Sequence, residues 1–158
     1  MADYEVFKSH LKGSVHIPPS KSHSLRALLF AGLASGKSKI INCLDSPDIE
    51  AMIQGLEGFG CEIEKDQEEI RVKGIQGAIQ SPKDVVDCGN SGIVLRFLSS
   101  IAALGSDYTV FSGDYSIRHN RPMNPLISAL NNAGAFACST KSVTLLKAGT
   151  AFVIFFSA

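Results

Sequence analysis

The sequence predicts an α/β fold made of a repeated unit, and three observations carry that prediction. Compared with itself at an offset of 70, the chain aligns Leu25-Arg26-Ala27-Leu28-Leu29 with Leu95-Arg96-Phe97-Leu98-Ser99, and Gly92 falls opposite Ser22. At an offset of 74, Met52-Ile53, Leu56 and Gly60 fall opposite Leu126-Ile127, Leu130 and Gly134, a second copied helix closed by a glycine each time. Helix-spaced apolar runs then alternate with short β-prone runs in the same order in both halves, as layered α/β units require.

The first copy opens after Pro18-Pro19 with a helix over 22–35, because Leu25, Leu28, Leu29 and Leu33 recur at helical spacing until Gly36. A strand over 39–42 follows, then a helix over 47–58 with Pro47 at its first position and Ile49, Met52, Ile53 and Leu56 on one face. Residues 61–64 and 69–73 alternate like a hairpin around Asp66 and Gln67. The second copy reads as a helix over 92–104, a strand over 108–111, a helix over 125–132, and strands around Phe136 and over 143–146. An inserted loop, Gly113 to Pro122, accounts for the change of offset. The apolar, uncharged run Ala151 to Phe156 is β-prone and unlike the closing element of a complete domain, so a truncated chain is expected.

Composition excludes several classes. The chain has 158 residues, 45% hydrophobic and 19% charged, enough for one packed core and unlike a disordered chain. Fifteen basic and fifteen acidic side chains cancel without a basic run, so neither nucleic acid nor an anionic membrane is an expected partner. Cys43, Cys61, Cys88 and Cys138 are scattered, which points to buried free thiols and not to a zinc site or disulfide framework. With no signal peptide and no apolar run of membrane-spanning length, a cytoplasmic protein is expected.

Three places carry chemistry. Ser20-Lys21-Ser22-His23-Ser24-Leu25-Arg26 sets a lysine, a hydroxyl and an arginine around a helix start, where unpaired N–H groups favour an anion such as a phosphate monoester or a carboxylate. Ser22 and Arg26, four apart, lie one above the other. The same residues also fit a plain capped helix with solvated cations. Asp87-Cys88-Gly89-Asn90-Ser91-Gly92, followed by Arg96, repeats that logic in the second copy, with a plain Asn-capped start as its alternative. Arg118 and Arg121 in the inserted loop can clamp a second anion or lie solvated. Gly32 to Ser38 has only three residues between its glycines and follows a helix, so it is no phosphate-binding P-loop. His16, His23 and His119 lack a partner nucleophile, and Asp45 and Asp48 read as helix-start acids.

Together, Pro-Ser-Lys-Ser-x-Ser-x-Arg-Ala-Leu at 19–28, Gly-Asn-Ser-Gly-x3-Arg at 89–96 and Gly-Asp-x-Ser-Ile-Arg-x2-Arg-Pro-Met at 113–123 resemble the 5-enolpyruvylshikimate-3-phosphate synthases. The resemblance runs from about Gly13 to Gly134 and fades from about Ser139. It implies transfer of the enolpyruvyl group of phosphoenolpyruvate to the 5-hydroxyl of shikimate 3-phosphate, on the route to chorismate, with no metal or organic cofactor. Lys21, Ser22 and Arg26 would bind shikimate 3-phosphate, with Lys21 also reaching phosphoenolpyruvate and serving catalysis. Asn90, Gly92 and Arg121 would complete the phosphoenolpyruvate site, with Arg96 and Arg118 as further candidates. His119 and Asn120 separate the loop arginines where the family pattern has one residue.

The implied fold is an inside-out α/β barrel of βαβαββ units, of which this chain carries about two. Residues 1–20 would pack on a second domain, 21–138 would form a partial enolpyruvyl transferase domain, and 139–158 a divergent apolar tail. The remaining proton-transfer groups would lie outside the chain, leaving it inactive alone. The alternatives are a non-catalytic anion-binding or interaction domain of the same fold, and the transferase acting on UDP-N-acetylglucosamine. Ser22 after Lys21 argues against the latter, whose lysine pairs with asparagine.

Overall fold

A computed structural model describes residues 3–10, 12–140 and 152–156. The helices are α1 (Lys21–Leu33), α2 (Pro47–Gly58), α3 (Gly92–Ala102), α4 (Tyr115–Asn120) and α5 (Asn124–Asn132). The strands are β1 (Lys37–Ile41), β2 (Glu62–Lys65), β3 (Glu69–Lys73), β4 (Val86–Asp87), β5 (Tyr108–Ser112), β6 (Phe136–Thr140) and β7 (Phe152–Phe156). The helix–strand–helix–strand–strand order of the first copy is as expected, and the second follows it from α3 to β6 with α4 added between β5 and α5. The strand expected over 143–146 lies outside the described residues.

Helices fill the interior. Leu25 and Leu28 of α1, Ile49, Met52 and Leu56 of α2, and Leu98 of α3 are all fully buried against one another. Two glycines let these helices approach closely. A side chain at Gly32 would run into Leu56 at 2.9 Å, and one at Gly55 would overlap Leu98. The antiparallel sheet β1-β3-β2 covers this core with Ile70 and Val72 turned inward. Its outer face carries ion pairs, Lys73 with Glu62 at 2.5 Å and Arg71 and Lys39 with Glu69, so it reads as a solvated surface.

The repeat is visible at the level of single hydrogen bonds. α2 ends with Cys61 N–H donating to Leu56 O at 3.0 Å, and α5 with Ala135 N–H donating to Leu130 O at 3.0 Å. Gly60 and Gly134 turn the chain there with φ of +102° and +92°, the same helix-ending device twice. The second sheet, β4-β5-β7-β6, places its strands in the spatial order of β1-β3-β2, but β7 runs parallel to both neighbours where β3 is antiparallel to both of its own.

Two elements depart from expectation. The insertion is not a loop throughout, since Asp114 accepts from Ile117 N–H at 3.0 Å and starts α4. β4, two residues long, is too short to show alternation. Gly36, with φ of +82°, turns the chain from α1 into β1.

Candidate active site

The two motif helices begin alike. Ser20 Oγ accepts from His23 N–H at 3.4 Å to cap α1, and Ser91 Oγ accepts from Val94 N–H at 3.4 Å to cap α3. The second cap is thus Ser91, not Asn90. One turn in, Arg26 Nη1 donates to Ser22 O at 3.0 Å and Arg96 Nη1 donates to Gly92 O at 2.7 Å. These two bonds sit 70 residues apart, at the offset the sequence shows. Neither first turn holds an acidic residue of its own, so neither helix dipole is offset from within its helix.

One carboxylate brings three helix starts together. Lys21 Nζ lies 2.8 Å from Oδ1 of Asp48, the second residue of α2. At that distance the ammonium and the carboxylate form an ion pair. Burial pulls the Asp48 pKa up, but Lys21 and the Ser91 hydroxyl outweigh it and hold the carboxyl below its usual value. Because Ser91 caps α3, the starts of α1, α2 and α3 lie close together, with Asp48 and Glu50 meeting the positive end of α2 from within its own first turn. Sequence reasoning took Asp48 for an ordinary helix-start acid; its position one residue into a proline-started helix carries no sign of a partner in α1.

At α3 the cation comes from elsewhere in the chain. Gly92 is buried, and a Cβ there would lie 2.7 Å from Arg96 Nη1 and 3.3 Å from Arg121 Cδ. Arg121 therefore lies across the start of α3, and a side chain at Gly92 would push both arginines aside. Its segment is tied down by Asp114 N–H donating to Gly89 O at 2.8 Å and by Arg96 Nη2 donating to Pro122 O at 3.2 Å. Gly113 fits only as glycine, its Cβ position being 2.5 Å from the backbone oxygen of Gly89.

The remaining candidates fall into place around these. Asn90 stands exposed in the turn before Ser91, beside Gly89 with φ of +54°. Ser22 is half-buried on the first turn of α1. Arg96, with both Nη atoms on carbonyls, is a structural tie between α3 and the segment after α4. Arg118 turns back onto its own helix, Nε donating to Asp114 O at 3.3 Å, and is not brought against Gly92 as Arg121 is. His119 stacks on Tyr115 with ring centroids 3.9 Å apart. Cys61 and Cys88 are buried free thiols whose pKa values burial pushes up to about 11 and about 12. A concavity of about 680 Å³ between Ile41–Asp45 and Lys65–Ile70 contains none of the motif residues. The site is an open, cation-bearing face at the convergent helix ends.

Among the described residues no helix is long and apolar enough to cross a membrane. Residues 7–149 match the profile of the family described as EPSP synthase (3-phosphoshikimate 1-carboxyvinyltransferase), which starts before Gly13 and runs past Ser139. The 3-phosphoshikimate 1-carboxyvinyltransferase of Acetivibrio thermocellus is 46% identical over 138 residues, covering 87% of this chain and 32% of that protein. The corresponding protein of Methanosarcina mazei is 43% identical over 136 residues, covering 86% and 31%. Among solved structures, an EPSP synthase from Acinetobacter baumannii superposes with a TM-score of 0.74 at 27% identity, over 81% of this chain and 29% of that one. The chain thus spans about a third of the length of the curated relatives it matches. With both repeat copies, both motif helices and the loop arginine inside the matched span, the chain belongs to the EPSP synthase family.

Proposed function

We propose that this chain carries part of the two-substrate site for enolpyruvyl transfer from phosphoenolpyruvate to the 5-hydroxyl of shikimate 3-phosphate. The observation that supports this most is that Asp48 links the starts of the two motif helices, through Lys21 of α1 and the Ser91 cap of α3, with Arg121 laid across Gly92 beside them. Two multiply charged anions repel each other, and holding them in contact requires fixed positive charge that is in place before they arrive. In this reading Lys21, Ser22 and Arg26 bind shikimate 3-phosphate. Asn90, Gly92 and Arg121 hold phosphoenolpyruvate, with Lys21 between the two and acting in catalysis. Each charge-assisted contact contributes about 1.5–3 kcal/mol.

Asp48 has a defined part in this arrangement. It fixes Lys21 at the junction without saturating it, since an ammonium has three donors and the Lys21 side chain is half exposed. The reading includes no cofactor, no nucleic-acid or membrane partner, and a cytoplasmic setting. Tyr4, Val6, Val15 and Ile17 stand exposed, which supports reading residues 1–20 as a segment that packs on a second domain. For these 158 residues alone, binding without turnover is the expected outcome, because the matched relatives are about three times as long.

Calorimetric titration of the chain with shikimate 3-phosphate tests the reading. Saturable binding that Lys21→Ala weakens by about 10- to 100-fold supports it, and no heat at millimolar ligand counts against it. A phosphate-release assay tests the second part: steady turnover by the purified chain would overturn the expectation of binding alone.

A further inference from the structure

We propose that Phe97 is a positioning residue for Arg26, the arginine assigned above to shikimate 3-phosphate; the proposal rests on that assignment. The two repeat-related arginines are each held at two points, and the second point differs. Arg96 gives Nη1 to Gly92 O and Nη2 to Pro122 O. Arg26 gives Nη1 to Ser22 O, while its Cζ lies over the Phe97 ring, 5.5 Å from the centroid. An aromatic ring stands where the other copy uses a carbonyl.

The substitution matters for what each guanidinium can still do. Each carbonyl takes one N–H, so these ties use two of the five guanidinium donors of Arg96 against one of Arg26. A ring attracts the cation through its quadrupole and brings no opposite charge. Held this way, Arg26 keeps its full charge and a donor edge for a phosphate, where a carboxylate partner would compete for the same N–H groups. Phe97 follows Arg96 directly on α3 and is half-buried against the core. The helix that carries the second motif therefore also steadies the arginine of the first, across the boundary between the two repeat copies.

A cation–π contact at a partly exposed site corresponds to a change of about two- to five-fold in affinity. The free chain gives a direct signature. By NMR, the Arg26 Cδ and Nε protons should be shifted upfield by the ring, the shift persisting in Phe97→Tyr and vanishing in Phe97→Leu and in Phe97→Met, which preserves volume without a ring. In titrations with shikimate 3-phosphate, Phe97→Leu and Phe97→Met should weaken binding by that factor and Phe97→Tyr should restore it. In an Arg26→Ala background the Phe97 substitutions should add nothing, whereas a merely structural Phe97 would cost the same in both backgrounds. Absence of the upfield shift, or equal losses with and without Arg26, overturns the proposal. A chain that shows the shift but binds no shikimate 3-phosphate at millimolar concentration overturns the substrate assignment and the positioning role with it, so the two failures are distinguished.

Discussion

The starts of α1 and α3 are two versions of one device. Both are capped by a serine, and both carry an arginine that bonds back to the carbonyl four residues earlier. They differ in where the working cation originates. At α1 it is the helix's own first residue, Lys21, held by Asp48. At α3 the first residue is Gly92, and the cation is Arg121, delivered by the segment between β5 and α5, which is longer than its counterpart between β1 and α2. Duplication reproduced the scaffold of helix, cap and dipole, and the insertion gave the second copy its own side-chain chemistry. The carboxylate of Asp48 then joins both starts, through Lys21 on one side and the Ser91 hydroxyl on the other.

That contrast can be broken at several points. The largest effect is expected from Lys21→Ala, which removes the cation intrinsic to α1. Loss of one charge-assisted contact of about 1.5–3 kcal/mol should weaken shikimate 3-phosphate binding by about 10- to 100-fold in a calorimetric titration. Next comes Gly55→Ala, which places a methyl group against Leu98 where α2 meets α3. Overpacking at that contact should lower unfolding stability by about 1–3 kcal/mol, read from the urea midpoint. It should weaken both ligands together, because it disturbs the contact that holds the two copies in register.

Gly92→Ala sharpens the comparison, since its Cβ would displace Arg121 and the Arg96 Nη1 group at one helix start only. Phosphoenolpyruvate affinity should fall by about ten-fold, equivalent to about 1.4 kcal/mol, with shikimate 3-phosphate binding little changed. The smallest effect concerns Asp48. Its pKa is lowered in the folded chain, so its contribution is present above its unfolded value of about 4 and is lost as pH falls through the folded-state pKa. Asp48→Asn should cost about 0.5–1 kcal/mol at pH 7 and should flatten the decline in the urea midpoint as pH falls below about 4.

Much of this was legible in the sequence, for local reasons. Pro47, Gly36, Gly60 and Gly134 mark helix boundaries whatever surrounds them. The copied residues around Arg26 and Arg96 report the repeat, and the motif spacing reports the family. What was not legible depends on tertiary convergence. α4 is a single short helix in which only Ile117 is buried, so it has no apolar period to read. Asp48 and Phe97 look like a helix-start acid and a core aromatic until α1, α2 and α3 are packed, and only then do they face Lys21 and Arg26. The reversed direction of β7 within a familiar strand order likewise has no local signature.

The central claim is that the two helix starts are adjoining half-sites with separate ligands. Crossed titration of Arg26→Ala and Arg121→Ala tests it most directly, with shikimate 3-phosphate alone and with phosphoenolpyruvate in the presence of saturating shikimate 3-phosphate. The account predicts that Arg26→Ala weakens shikimate 3-phosphate and leaves phosphoenolpyruvate bound at saturation, and that Arg121→Ala weakens phosphoenolpyruvate alone. Equal losses for both ligands in both variants, or no loss in either, would contradict it.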